Sequence, residues 1–259
     1  MTRSLDRLAH LADALRAGQH RRLLIRLAAK LRGARAHGAT ISGAVTQSDR
    51  VRAIRARANP VILDRRDRFV FFPNSKVAQR SIARDLLRDR VIVRKDDPRA
   101  WAARFDRIDD AYFARTFTFT VVRNPFDRVV SAFHYLRDRC AGREFNEFVV
   151  DVLGREGTSF DPHFAPQADG LLHDGALLVD HVGRFETLDR SWREIAARID
   201  APAVLPHRGR SERAASYAGY YGDEARRVVE RLYHDDLTLF GYAFDDGRRD
   251  QPRVLRVAP

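Results

Sequence analysis

The sequence predicts an α/β protein: a central parallel sheet flanked by helices, with a helical arm ahead of it. From Arg68 onward, short apolar runs alternate with longer stretches of helical period, the pattern of strand–helix units. Strands that alternate with helices favour a parallel sheet covered on both faces. At 259 residues, with 44% hydrophobic and 32% charged residues, the chain is long enough to bury a substantial core.

The elements follow in order. Leu5, Leu8, Leu11, Ala12 and Leu15 recur at helical spacing, and Leu23, Leu24, Leu27 and Leu31 continue it, so two amphipathic helices are expected within 3–34. A small-residue linker, "GARAHGATISGAV", follows, and Asn59-Pro60 marks a turn. Phe69–Phe72 reads as a buried strand, 79–90 as a helix and 91–93 as a second strand. Asp97 and Pro98 suit the cap and first position of a helix running to about Asp109. Phe117–Val122 is a third strand, and a helix is expected from Pro125 to about Arg139. Further helices are expected over 144–153, 188–199 and 223–234, with a short strand near 181–185.

Composition removes several function classes. No apolar run approaches the roughly 20 residues that cross a bilayer, and no secretory leader is apparent. The single cysteine, Cys140, excludes an intrachain disulfide and disfavours a thiolate metal site; a reducing cytoplasm is the expected compartment, with a membrane-peripheral location as the variant. The net charge of +12 is uneven: residues 1–60 hold 13 Lys+Arg against 3 Asp+Glu, and the remainder holds 34 against 32. The arm therefore reads either as a solvated helix face or as a contact for an anionic surface or an acidic glycan. Specific nucleic-acid binding is not expected, because no recognition motif accompanies the charge.

Two strand ends carry the chemistry, since ligands of parallel sheets bind at the carboxyl ends of strands. The first is "FVFFPNSKVAQRS", residues 69–81. Lys76 is one of three lysines among 47 basic residues. Backbone amides at the following helix start favour an anion, and Lys76, Arg80 and Ser81 add donors. The loop has no glycine and is neither a Walker A loop nor a dinucleotide fingerprint. The second strand end is "FTFTVVRNPFDRVVSAFHYL". There Arg123 leaves the strand, Asn124 can cap and Pro125 suits the first helical turn. Phe126, Val129, Val130, Phe133 and Leu136 form the apolar face. Ser131 lies off it, on a side from which it could approach the same anion as Arg123. Arg128 also lies off that stripe and reads as a surface ion pair with Asp127 or Asp138.

Together these stretches resemble the sulfotransferases that use 3′-phosphoadenosine 5′-phosphosulfate (PAPS), in their carbohydrate-type, family 2-like branch. "RNPFDRVVSAF" is similar to that family's 3′-phosphate motif, R-N-P-x-x-R-x-x-S, and the Lys76 loop to its 5′-phosphosulfate loop, with Ser75 where the family often has proline. "DPHFAPQ", "DHVGRFETL" and "YHDDLTLFGYAF" resemble its later segments. The resemblance covers about 65–245. It implies a single P-loop-kinase-like domain, placed at 61–247, between a basic arm and linker at 1–60 and a tail at 248–259. It further implies PAPS as donor, bound by Ser75, Lys76, Val77, Ala78, Gln79, Arg80 and Ser81 at the 5′ side and by Arg123 and Ser131 at the 3′-phosphate. Lys76 would neutralise the leaving group. A compact ammonium can follow the bridging oxygen, where a guanidinium prefers a fixed fork.

Sulfuryl transfer also needs a base for the acceptor hydroxyl. His163 in "DPHFAPQ" is the first candidate, against a role in positioning its loop; His134 is the second, against packing. Glu186 reads as structural or capping. No metal is required, and the nine histidines show no H-E-x-x-H spacing. A carbohydrate is the expected acceptor, with a lipid or small alcohol as alternatives. A kinase-like phosphotransferase and a non-catalytic basic module are the competing functions.

Overall fold

The structure, a computed structural model, describes residues 51–52, 54, 60–140, 142–173, 176–205 and 216–244. The helices expected within 3–34, the linker that follows them and the tail over 248–259 lie outside the described residues.

The central sheet contains β1 (Ile62–Asp64), β2 (Phe69–Phe72), β3 (Val91–Ile92), β4 (Phe117–Val122) and β7 (His181–Arg184), in the order β3-β1-β2-β4-β7. The pairs β2/β4 and β4/β7 are parallel, whereas β1 is antiparallel to both β2 and β3. Four strands thus point one way and β1 runs against them. The reason is its connection: only an antiparallel neighbour can be reached through so short a turn as residues 65–68. Buried Asp64 closes that turn by accepting the Arg68 amide at 2.9 Å. A two-residue pairing of β5 (Leu172–His173) with β6 (Ala176–Leu177) lies apart from the main sheet. Neither β1, which ends on the charged Asp64, nor this hairpin is among the strands the sequence pattern suggests.

Several helices end or break earlier than periodicity suggests. The 79–90 helix ends at Leu86 and is π-wound over Ser81–Leu86, with the Leu87 amide returning to the Ile82 carbonyl. The 98–109 helix is two. α1 (Pro98–Phe105) is capped by Asp97, which accepts the Ala100 amide, and α2 (Asp110–Arg115) is restarted by Asp109, which accepts the Tyr112 amide. α3 (Pro125–Tyr135) gives way to a 3₁₀ turn at Arg137–Arg139. The helical run α4 covers 145–156 with a π-wound centre at Phe148–Leu153. α5 (Leu188–Ile199) matches its expectation, and the 223–234 helix divides into α6 (Asp223–Leu232) and α7 (His234–Phe240).

Successive residues of β2 enter opposite cores. Val70 and Phe72 pack with Trp101, Tyr112 and Leu239, while Phe69 and Phe71 pack with Ile82, Trp192 and Ile195. Burial on both faces explains a continuous apolar run instead of an alternating one. On β7, Gly183 lets α5 approach closely: a Cβ there would stand 3.2 Å from side-chain carbons of Ile195 and Ser191. A third core, around Phe126, Val130 and Phe133, seats α3 against α4 and α6. This packing fixes the helix that follows the second strand end.

Candidate active site

The two loops singled out in the sequence leave the carboxyl ends of adjacent parallel strands, β2 and β4, and are tied together. Asn74 donates its side-chain amide to the Thr120 hydroxyl and to the Val121 carbonyl, each at 3.1 Å. Lys76 and Ala78 both adopt left-handed backbone conformations, φ 66° and 61°. Each costs a side-chain-bearing residue about 1–2 kcal/mol. Such outliers persist where surrounding contacts over-determine them, typically at ligand clamps. The anchor here is Val77, which is fully buried in the Phe69/Phe71 core. Its side chain therefore faces away from any ligand, and only its backbone can serve the expected binding role. Ser81 is buried at the helix start, Arg80 is exposed, and Ser75, Ala78 and Gln79 are half-buried.

At the second loop Asn124 caps α3 as expected, its side-chain oxygen accepting the Phe126 amide at 3.0 Å. Arg123, only 4% exposed, donates Nε to Asp127 at 2.7 Å and an NH1 hydrogen to the Lys76 carbonyl at 3.0 Å. Its guanidinium also lies over the Phe185 ring. The side chain expected to hold a phosphate is thus first a tie between the loops, with a carboxylate beside it. Its backbone is clamped too. Gln167 accepts the Arg123 amide and donates to its carbonyl, both at 2.9 Å. Gln167 is in turn held by Asp236, which is completely buried and accepts the amides of Gln167 and Ala168. Burial raises the Asp236 carboxyl above its ordinary range, against the opposing pull of Arg128 and these N–H donors.

Asp127, Ser131 and Tyr135 are spaced i, i+4, i+8, so they share one face of α3. Asp127 meets Arg123, and Tyr135 takes the Lys76 ammonium over its ring at 4.1 Å. Half-buried Ser131 lies between them in that spacing.

His163 stands across the Tyr135 ring, with ring centroids 5.0 Å apart. The two residues expected to be catalytic, Lys76 and His163, therefore converge on one tyrosine. The His163 Nδ1 lies 2.7 Å from Asp161 Oδ1, which also accepts the His163 amide. Burial alone would raise the Asp161 carboxyl, but the His163 bonds and charge, with Arg139 behind them, hold it below its ordinary value. An ionised Asp161 keeps the proton on Nδ1 and leaves Nε2 as the basic nitrogen.

Arg128 corrects the surface ion pair expected for it. It is 1% exposed and donates to the carbonyls of His163 at 3.0 Å and Ala165 at 2.6 Å. The arginine inside "RNPFDR" therefore holds the backbone of "DPHFAPQ". Of the alternative bases, His134 packs edge-on against Phe133 and Tyr220. Glu186 accepts the Asn124 amide and the Tyr242 hydroxyl, the capping role expected of it. The sequence pattern does not single out Gln167, Asp236 or Tyr135, and it points to the acidic residues around Asp161 only as fallback candidates for the base. The i, i+4 spacing of Tyr135 from Ser131 was the one signal available for it.

Residues 61–243 match the family model described as "Sulfotransferase family". No curated protein and no solved structure matches the chain.

Proposed function

The chain belongs to the sulfotransferase family, and from that premise we propose that it transfers the sulfuryl group of PAPS to a hydroxyl of a carbohydrate. One observation supports the reading most: Lys76 and His163 meet at Tyr135, beside a loop tied to Arg123. In-line transfer to a hydroxyl needs positioning, charge stabilisation on the leaving oxygen and a base for the hydroxyl, roles that Lys76 and His163 could fill.

The residues suit a doubly phosphorylated nucleotide. The backbone of 75–81 and the ammonium of Lys76 would hold the 5′ phosphosulfate, with Arg80 and Ser81 adding donors. Arg123 and Ser131 would hold the 3′-phosphate, Arg123 sharing its guanidinium with Asp127. The donor, when bound, supplies an activated sulfuryl group. His163 Nε2 takes the proton of the attacking hydroxyl, and the Asp161 carboxylate stabilises the imidazolium that results. Lys76 stabilises the charge left on the bridging phosphate oxygen. The basic arm, 1–60, would draw an acidic acceptor or an anionic surface toward this domain.

The test is calorimetry and turnover together. Adenosine 3′,5′-bisphosphate should bind in preference to ATP, and labelled PAPS should be consumed when glycans are supplied. Lys76→Ala should lower kcat more than nucleotide affinity, because its role strengthens as the leaving oxygen gains charge. Lys76→Arg should restore only part of the loss. Preference for ATP would defeat the reading, and a fully active Lys76→Arg would defeat the role given to the lysine.

A further inference from the structure

Tyr135 is 59% exposed, although the helix that carries it is otherwise seated on a core of buried phenylalanines. Only one other large apolar side chain among the described residues, Val204, is as open. An exposed tyrosine offers a ligand a large apolar face with a polar edge. Tyr135 makes two contacts. The Lys76 ammonium lies over its ring at 4.1 Å and the His163 ring stands 5.0 Å away. With both contacts made, more than half of the residue is still open to solvent.

The chemistry of transfer limits what can lie there. The acceptor oxygen has to come within hydrogen-bond reach of His163 Nε2 while its sulfur partner stays near Lys76. A molecule meeting both conditions passes along the Tyr135 ring, the surface those two side chains share. A flat aromatic face favours a ring whose own C–H face can lie on it, leaving the hydroxyls at the edge for His163. An open-chain alcohol gains little from such a face. Resting on the sulfotransferase reading above, we propose that Tyr135 is a positioning residue for the acceptor: its exposed ring is the platform on which a pyranose lies with one hydroxyl directed to His163. Tyr135 would thereby select cyclic over open-chain hydroxyl acceptors, without taking part in proton transfer.

The experiment compares methyl β-D-galactopyranoside and methyl β-D-glucopyranoside with glycerol as acceptors, at saturating PAPS, for wild type, Tyr135→Phe, Tyr135→Leu and Tyr135→Ala. Wild type should favour at least one pyranoside over glycerol in kcat/KM. Tyr135→Ala and Tyr135→Leu should lose about three- to tenfold of that preference, the worth of one aromatic contact, chiefly as a higher pyranoside KM. Tyr135→Phe, which keeps the ring, should retain it. Calorimetry with adenosine 3′,5′-bisphosphate on each variant serves as the check on folding and on the donor site. Equal losses on all three acceptors, or a matching loss of nucleotide affinity, would show that the ring only supports Lys76 and would overturn the platform. Wild type that binds the nucleotide yet acts on glycerol alone, or on none of the three, overturns it as well. Wild type that neither binds the nucleotide nor consumes PAPS instead overturns the sulfotransferase reading beneath it.

Discussion

His163 is fixed at three points: its amide and Nδ1 both meet Asp161, and its carbonyl receives Arg128. A histidine held this way has one nitrogen left for chemistry. His163→Ala should lower kcat by about 10²–10⁴ while adenosine 3′,5′-bisphosphate binds normally. His134→Ala, whose ring is packed against Phe133 and Tyr220, should cost far less in kcat. Near-normal turnover by folded His163→Ala, with chemistry rate-limiting, would remove it as the base. Asp161 adds a stability signature. Its carboxyl is held below its ordinary value, so folding favours the ionised form. That contribution is complete above the ordinary carboxylate pKa of about 3.9 and is lost as pH falls through the lower folded value. Wild type should therefore melt above Asp161→Asn at pH 7, and the gap should narrow as the pH is taken below about 3.9. A gap that stays constant with pH would mean the carboxylate's charge is irrelevant there. The sequence singles out His163 as a candidate through its segment, "DPHFAPQ". Asp161 was not read as its orienter, because a contact across two residues depends on how the turn folds.

At the scale of elements, the second strand end and the "DPHFAPQ" segment form one unit through Arg128. Its guanidinium satisfies two backbone carbonyls from a buried position, and leaving a buried acceptor unmet costs about 1–3 kcal/mol. Arg128→Met should lower thermal stability by that order per carbonyl. Because the segment carries His163, kcat should fall more than nucleotide affinity. Urea unfolding alongside kinetics would check both; unchanged stability would mean that the segment holds its shape without the clamp. A position off the apolar stripe, with Asp127 and Asp138 nearby in sequence, suggests a surface ion pair for Arg128; its real partners, two backbone carbonyls some 35 residues away, leave no local signal. The strand–loop–helix units at β2 and β4 were legible because their signals are local: an apolar run, then a cap or a polar loop. Helix ends were less so. Asp109, read as the end of one helix, is the cap that starts the next. β1 was hidden by Asp64, a charged residue with no exposure, whose partner comes from across a turn.

For the whole molecule, the question is where the basic segment stops and the folded unit begins. Sequence reading set that boundary at residue 60, on the linker and the Asn59-Pro60 turn. Residues 51, 52 and 54 are helical, Ile54 is 2% exposed, and both Val51 and Ile54 pack into the core beneath β1 and β2. The folded unit therefore reaches back at least to Val51. Two truncations separate charge from packing. Removing 1–50 takes away ten of the thirteen arm Lys+Arg and keeps Ile54; removing 1–55 takes Ile54 as well. Losing a buried isoleucine side chain costs about 2–5 kcal/mol. At about 2–4 °C per kcal/mol for a chain of this size, the shorter protein should melt several degrees below the longer one. Both should lose salt sensitivity in acceptor KM if the arm attracts an anionic acceptor, since exposed charges act only within a Debye length of about 8–10 Å. Identical melting of the two truncations would show that Ile54 does not seal the core. Unchanged salt dependence in both would show that the charge of the removed segment has no part in acceptor binding.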